Sequence, residues 1–201
     1  TTDELIPSGE TSSYRSNPLK LAEFALSRKD PAYVGRAKEI QKYEISRESG
    51  EDISKTLPEI FAKLRELNAE CKPENVGVGS VVCANKPGDG SAREQAASCQ
   101  KVLGGWANIA LEYATKRYRS NLINWGMLPL VCGDLNFAVG DYVYLPNVRG
   151  SVENKASDLA AYVISASGDV REIKLSLGAL TDDERKIILC GCLINYYRDG
   201  N

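Results

Sequence analysis

The stretch Val76–Ala84 (VGVGSVVCA) constrains this chain more than any other. It passes without a charge and is rich in valine. An apolar, β-branched run of this kind reads as a strand buried on both faces. Asn85–Gly90 (NKPGDG) follows and is a turn by composition. Ser91–Leu103 then has a helical pattern, opened by Ser91 and Glu94 in the S-x-x-E spacing of a capping box. Further strands are expected at Ala107–Leu111, Met127–Cys132, Tyr142–Leu145, Ala161–Ser165 and Val170–Leu175, with a helix over Tyr113–Trp125. Ser167-Gly168-Asp169 is a hairpin signal between the last two strands. Thr181 and Glu184 form a second capping box, which opens a final helix through Ile187, Ile188, Leu193 and Ile194. This strand–turn–helix core with several more strands predicts a mixed α/β domain with a largely parallel central sheet.

Upstream the texture differs. Residues 1–17 (TTDELIPSGETSSYRSN) are dense in Ser, Thr, Gly and Pro and predict irregular structure. Asn17-Pro18 supplies an N-cap and an N1 proline for a short helix, and Asp30-Pro31 repeats the signal for a second helix reaching about Ser46. Leu57, Ile60, Phe61, Leu64 and Leu67 then fall on one helical stripe. Residues 18–70 are therefore a helical block and 72–201 an α/β core, in one domain spanning 1–201.

The 201 residues include no histidine, which excludes Ser-His-Asp and Cys-His catalysis and any histidine metal site. A formal charge of −2 gives no global pull toward nucleic acid or anionic lipid. No apolar run approaches the roughly 20 residues of a membrane span, so no membrane association is expected. Cys71, Cys83, Cys99, Cys132, Cys190 and Cys192 read as reduced, buried thiols of a cytoplasmic protein rather than as ligands. Cys190-x-Cys192 is not a CxxC pair, and on a helix its side chains stand about 200° apart. The chain begins at Thr1 without an initiator methionine, which suggests a piece of something longer.

The best candidate for chemistry is Gly88-Asp89-Gly90-Ser91-Ala92-Arg93-Glu94. A glycine-rich turn that opens a helix turns its first N–H groups and the positive end of the helix dipole outward, which suits an anion. Arg93 adds a guanidinium matched to a carboxylate. A Ser91 hydroxyl in that field would be favoured as an alkoxide. The plainer alternative is that Ser91 caps the helix, Glu94 completes the box and Arg93 is solvated.

GDGSAREQAA resembles the G-x-G-S-S-R-E-H-A-A segment of the aconitase family. Thr1-Thr2-Asp3, Gly9 and Tyr14-Arg15 fall at the spacing of its TTD…G…(F/Y)R stretch, and Arg119–Pro129 (RSNLINWGMLP) resembles its RSNLINxGxLP stretch. The resemblance implies an α/β domain of the swivelling β/β/α type, as in the aconitase C-terminal domain, here with a helical N-terminal block. It implies a hydro-lyase acting on a small hydroxy-polycarboxylate, with Ser91 as catalytic base. Arg93 and Arg15 would bind substrate, Ala92 would occupy a substrate-binding position, and Asp3 would lie in the polar network beside them. Arg15, Arg93, Asp3 and Ser91 are then expected to line one concave, electropositive surface.

Three departures accompany the resemblance. Ala92 replaces a serine, Gln95 replaces a histidine, and Ile6 stands where aconitases carry a serine. Two lost hydroxyls argue against citrate as substrate, each such hydrogen bond to a charged group being worth about 1.5–3 kcal/mol. The family's 4Fe-4S cluster needs three cysteines, two in a CxxC that this chain lacks. The cluster is thus expected in N-terminal iron–sulfur domains of the same protein, with none bound here, and this chain alone is expected to be inactive. Two alternatives stand beside this reading. One is a stand-alone small subunit related to isopropylmalate isomerase. The other is RNA binding through Tyr113–Arg119 (YATKRYR), where aromatics and cations alternate, although a solvated basic helix face explains that segment more simply and nucleic acid is not the expected partner.

Overall fold

The computed structural model describes residues 1–200. Six strands form one sheet in the order β1-β2-β3-β6-β5-β4: β1 (Ser80–Ala84), β2 (Gly105–Ala110), β3 (Leu128–Cys132), β4 (Tyr142–Tyr144), β5 (Asp158–Ile164) and β6 (Val170–Ser176). Strands β1, β2 and β3 are parallel and joined by crossovers through α5 (Arg93–Val102) and α6 (Lys116–Asn124). The other three pair antiparallel. The expected largely parallel sheet is therefore corrected to a mixed one. The link from β5 to β6 is only residues 165–169, and a parallel crossover needs about a dozen residues or more. Gly168 turns it at φ +85, and the Asp169 N–H donates to the Ser165 hydroxyl at 3.1 Å.

Strand β1 starts at Ser80, four residues later than the valine run suggests, and it is an edge strand with only Val82 buried rather than a strand buried on both faces. The Trp106 ring lies flat over Gly77 and Gly79, where an added Cβ would fall 2.1 and 2.4 Å from ring atoms. The Val78 N–H donates at 2.8 Å to the buried Glu44 carboxylate, which is also gripped by both arms of Arg47. Residues 76–79 thus pair with a side chain and an indole rather than with a strand.

The helical block over 18–70 is present as α2 (Pro18–Ala22), α3 (Tyr33–Glu48) and α4 (Pro58–Leu67). Residues 1–17 are not wholly irregular, since a Thr1–Glu4 capping box opens the short helix α1 (Thr2–Leu5). Asn17 caps α2 by accepting from the Lys20 N–H at 3.1 Å. Residues of α1, α2 and α3 bury Leu5, Ile6, Leu21, Ala22 and Ala37 against Ala96 and Ala97 of α5 and Tyr118 and Leu122 of α6. Helix α4 seats Phe61 and Leu64 on Ile164 of β5. The second face of the sheet carries α7 (Val148–Glu153), α8 (Asp182–Leu189) and α9 (Leu193–Arg198), over a core that includes Ile109, Leu130, Ala161, Leu175 and Ile187. Thr181 and Glu184 form the expected capping box at α8. The final helix is two helices, because Gly191 turns the chain at φ +87 between them. Its carbonyl fills the space beside Gly126, where a Cβ would lie 1.8 Å from it.

A polar set sits inside the core between α5, α6 and β2. Tyr118 Oη donates to Asn108 Oδ1 at 2.7 Å, Asn108 Nδ2 donates to Gln100 Oε1 at 2.6 Å, and Gln100 Nε2 donates to Tyr118 Oη at 3.0 Å. All three side chains are buried, and each finds a partner, as buried polar groups require.

Candidate active site

The GDG loop links β1 to α5 in a conformation that only glycine supplies. Gly88 and Gly90 have φ +101 and +125. An added Cβ at Gly88 would strike the Tyr118 Cβ at 2.4 Å and its ring at 2.5 Å, and one at Gly90 would strike Thr2 Oγ1 at 2.1 Å. The Thr2 N–H donates to the Asp89 carbonyl at 2.5 Å, and Thr115 Oγ1 donates to the Gly88 carbonyl at 3.1 Å. The N-terminal residues, the loop and the start of α6 are thereby locked together.

The Ser91–Glu94 capping box does not form. Helix α5 begins at Arg93 with Ala92 at the N-cap and no side-chain cap. Ser91 is exposed, and the Glu94 carboxylate instead accepts from the Trp125 indole at 3.1 Å. Ser91 therefore precedes the helix without capping it, and the first N–H groups of α5 face outward unopposed by a side chain.

Ser8, Arg15, Ser91, Ala92, Glu94 and Gln95 line one open depression of about 400 Å³. Of the positions named from sequence, Arg15, Ser91 and Ala92 thus come together, although Arg15 stands 76 residues before Ser91 in the chain. Among the described residues, Arg15 has no ion-pair partner, and the Ser91 hydroxyl and the Gln95 carboxamide have no hydrogen-bond partner. Arg93 and Asp3 are placed differently. The Arg93 guanidinium turns back to donate to the Gly90 carbonyl and does not line the depression, so the surface is not the two-arginine one expected. Asp3 is one hydrogen bond removed: its carboxylate accepts from the Ser8 N–H at 3.2 Å and pairs with Arg28.

Ser8 and Arg28 are unmarked in the sequence, whereas Glu94 falls inside the Gly88–Glu94 candidate and Gln95 stands there only as the replacement of a family histidine. Arg28 spans two acids, pairing with Asp3 and, at 2.8 Å, with Glu10. Contact with Glu10 first, then with Asp3, raises its already high pKa. Nothing local in the sequence marks a residue 25 positions from its partner. Ile6 is buried in the core, so the hydroxyl nearest that point of the chain is that of Ser8, and the lost serine there does not empty the depression.

The cysteines do not form a metal centre. All six are free, and no three His, Cys, Asp or Glu residues gather into a possible metal site among the described residues. Cys71, Cys99 and Cys132 are buried as expected, but Cys83 is exposed at the sheet edge and Cys190 and Cys192 are half-buried, which corrects the expectation of six buried thiols. Burial pushes the Cys99 thiol up to about 12, away from the thiolate a metal needs. A 4Fe-4S cluster does not fit this chain's own side chains. The aromatic–basic segment is also occupied structurally. Tyr118 is buried, Tyr113 Oη donates to the Asn108 and Leu130 carbonyls, and Arg119 holds the Leu177 and Ala179 carbonyls at 2.9 Å. The Tyr118 ring is closed to a base, and the half-buried Tyr113 has its hydroxyl engaged. Among the described residues, only Lys116 and Arg117 of the segment's cations have no backbone carbonyl to hold. No helix is long and apolar enough to cross a membrane among the described residues.

Residues 54–134 match the aconitase C-terminal domain. The match takes in the GDG loop, Ser91, Arg93 and the RSNLINWGMLP stretch, and it starts within the helical block. Asp3 and Arg15 lie outside it. Across nearly its whole length the chain shares its fold with a solved structure. It is similar to 3-isopropylmalate dehydratase (LeuD) of Methanocaldococcus jannaschii, at a TM-score of 0.54 and 20% identity, over 98% of this chain and 86% of that one. No curated protein matches the chain in sequence.

Proposed function

We propose that this chain is the substrate-closing domain of an aconitase-like hydro-lyase, with Ser91 as the base. One observation carries the reading: a serine, an arginine and a carboxamide without protein partners converge on one depression at the start of α5, in the aconitase C-terminal fold. A hydroxy acid seated there places its carboxylate on Arg15 and a neighbouring C–H at Ser91. The unopposed N–H groups of α5 and the Arg15 guanidinium favour an anionic Ser91 oxygen. The proton beside the carboxylate passes to that oxygen, the C–H pair becomes the new C=C bond, and the adjacent hydroxyl leaves as water with a proton from outside this chain. Arg93 contributes a second guanidinium once it leaves the Gly90 carbonyl, and the Arg28–Asp3–Ser8 set holds the loop that presents Arg15.

The acid for the leaving hydroxyl and any iron–sulfur cluster belong to further polypeptide. That polypeptide is either the N-terminal part of the same protein or a separate large subunit, and the six free cysteines suit a reducing compartment such as the cytoplasm. The test is reconstitution with that iron–sulfur component under anaerobic conditions, following the ultraviolet absorbance of the unsaturated product. Dehydration should require this chain, and Ser91→Ala should lower kcat by about 10²–10⁴-fold with KM little changed. Turnover by the iron–sulfur component alone, or by Ser91→Ala at the native rate, would refute the assignment.

A further inference from the structure

We infer that Gln95 determines specificity, and that the depression takes a hydroxy acid presenting one carboxylate together with a neutral hydrogen-bonding group. The inference rests on the function proposed above. The walls carry Arg15 as their cation and Glu94 as their anion, so their formal charges cancel. Were Arg93 to turn in from the Gly90 carbonyl, the surplus would be a single positive charge. That matches one carboxylate and leaves a second one unpaired beside Glu94. The Trp125 indole donates to one Glu94 oxygen at 3.1 Å and supplies no charge, so no cation stands between Glu94 and a second substrate carboxylate.

Gln95 supplies what the cations do not. Its carboxamide is half-buried, lines the same depression as Ser91 and Arg15, and meets no protein partner. An amide offers both a donor and an acceptor, so it pairs fully with another amide or a hydroxyl and only through its N–H with a carboxylate. A lysine there would make the position a reader of charge. The Ala92 methyl, next along the wall, offers no hydrogen bond at all.

The experiment uses malate and its β-monoamide, which match in shape and differ by one carboxylate. Each is titrated into the 15N-labelled chain, following the Gln95 side-chain amide, the Ser91 and Ala92 backbone amides and the Arg15 Nε–H. The monoamide should bind about threefold more tightly than malate at low ionic strength, the scale of one exposed charge contact. Gln95→Lys should invert that preference, and Gln95→Leu should weaken the monoamide more than malate, which loses only an N–H contact. Tighter malate binding by the native chain, or a preference unmoved by either substitution, would overturn the inference while leaving Ser91 catalysis standing. If neither compound moves these resonances, the depression is not a binding site and both readings fail. The readout is binding alone, so loss of turnover in Ser91→Ala does not bear on it.

Discussion

Gly90 and Thr2 are keyed to each other: the one conformation that brings the GDG loop to α5 leaves only 2.1 Å between a Cβ at Gly90 and Thr2 Oγ1. Gly90 also sits at φ +125, where an L side chain is strained. Gly90→Ala should therefore lower stability by about 1–3 kcal/mol in a denaturant titration. Thr2→Ala in the same chain removes the clashing oxygen but not the backbone strain. The double variant should recover part of the loss, and additivity of the two changes would show that the residues do not touch.

The Gln100–Asn108–Tyr118 set gives a second prediction. Tyr118→Phe keeps the ring under Gly88 and takes away the hydroxyl that donates to Asn108 and accepts from Gln100. Gln100 Nε2 keeps a second partner in the Ala96 carbonyl at 2.8 Å, whereas Asn108 Oδ1 is left unpaired in the core. The cost should be about 1–3 kcal/mol, read as a fall in the denaturation midpoint with the slope unchanged.

Much of this architecture is legible in the residues, because its determinants are local. The Asn17 cap, the Thr181–Glu184 box and the 165–169 hairpin each depend on neighbours within a few positions. What escapes the sequence depends on distant partners. The Ser91–Glu94 spacing promises a capping box, yet Trp125 takes the Glu94 carboxylate from 31 positions away. The valine run promises a strand from Val76, yet Trp106 and Glu44 occupy its first residues. At the site, Ser91, Ala92 and Arg15 were visible through motif resemblance. Gln95 and Ser8 needed the folded depression, and Arg28 needed its two acids in place.

The alkaline limit of stability follows from buried phenols and thiols, among them Tyr113, Tyr118, Tyr33 and Cys99, whose ionisation burial opposes. Burial pushes the Tyr33 phenol up to about 12 from an ordinary 10.0, and the Cys99 thiol up to about 12 from 9.0. The unfolded chain releases both protons first, so the contribution is whole below about pH 9 and is lost as pH rises toward 12. Stability should be level through neutrality and fall across that window. Tyr33→Phe and Cys99→Ala should each flatten the fall, as followed by the denaturation midpoint against pH.

Arg15 should act on binding. Arg15→Gln removes the cation that lines the depression, and KM should rise about tenfold, the scale of one charge-assisted hydrogen bond at a partly exposed site. Arg15→Lys keeps the charge but not the fork and should fall between the two. Neither change should alter the fold, since Arg15 holds no other residue. A KM unchanged by Arg15→Gln in steady-state kinetics would place the carboxylate elsewhere.

The claim that Ser91 moves the proton is tested most directly by exchange of the substrate's own C–H with solvent. The complete enzyme is held in deuterium oxide with a substrate that it dehydrates, and deuterium at the carbon beside the carboxylate is followed by proton NMR. The native enzyme should wash deuterium into that position during reversible turnover. Ser91→Ala should bind the same substrate, as shown by shifts at Arg15, and yet exchange its C–H about 10²–10⁴-fold more slowly. Exchange at the native rate in Ser91→Ala would contradict the account, since the proton would then be taken by another base.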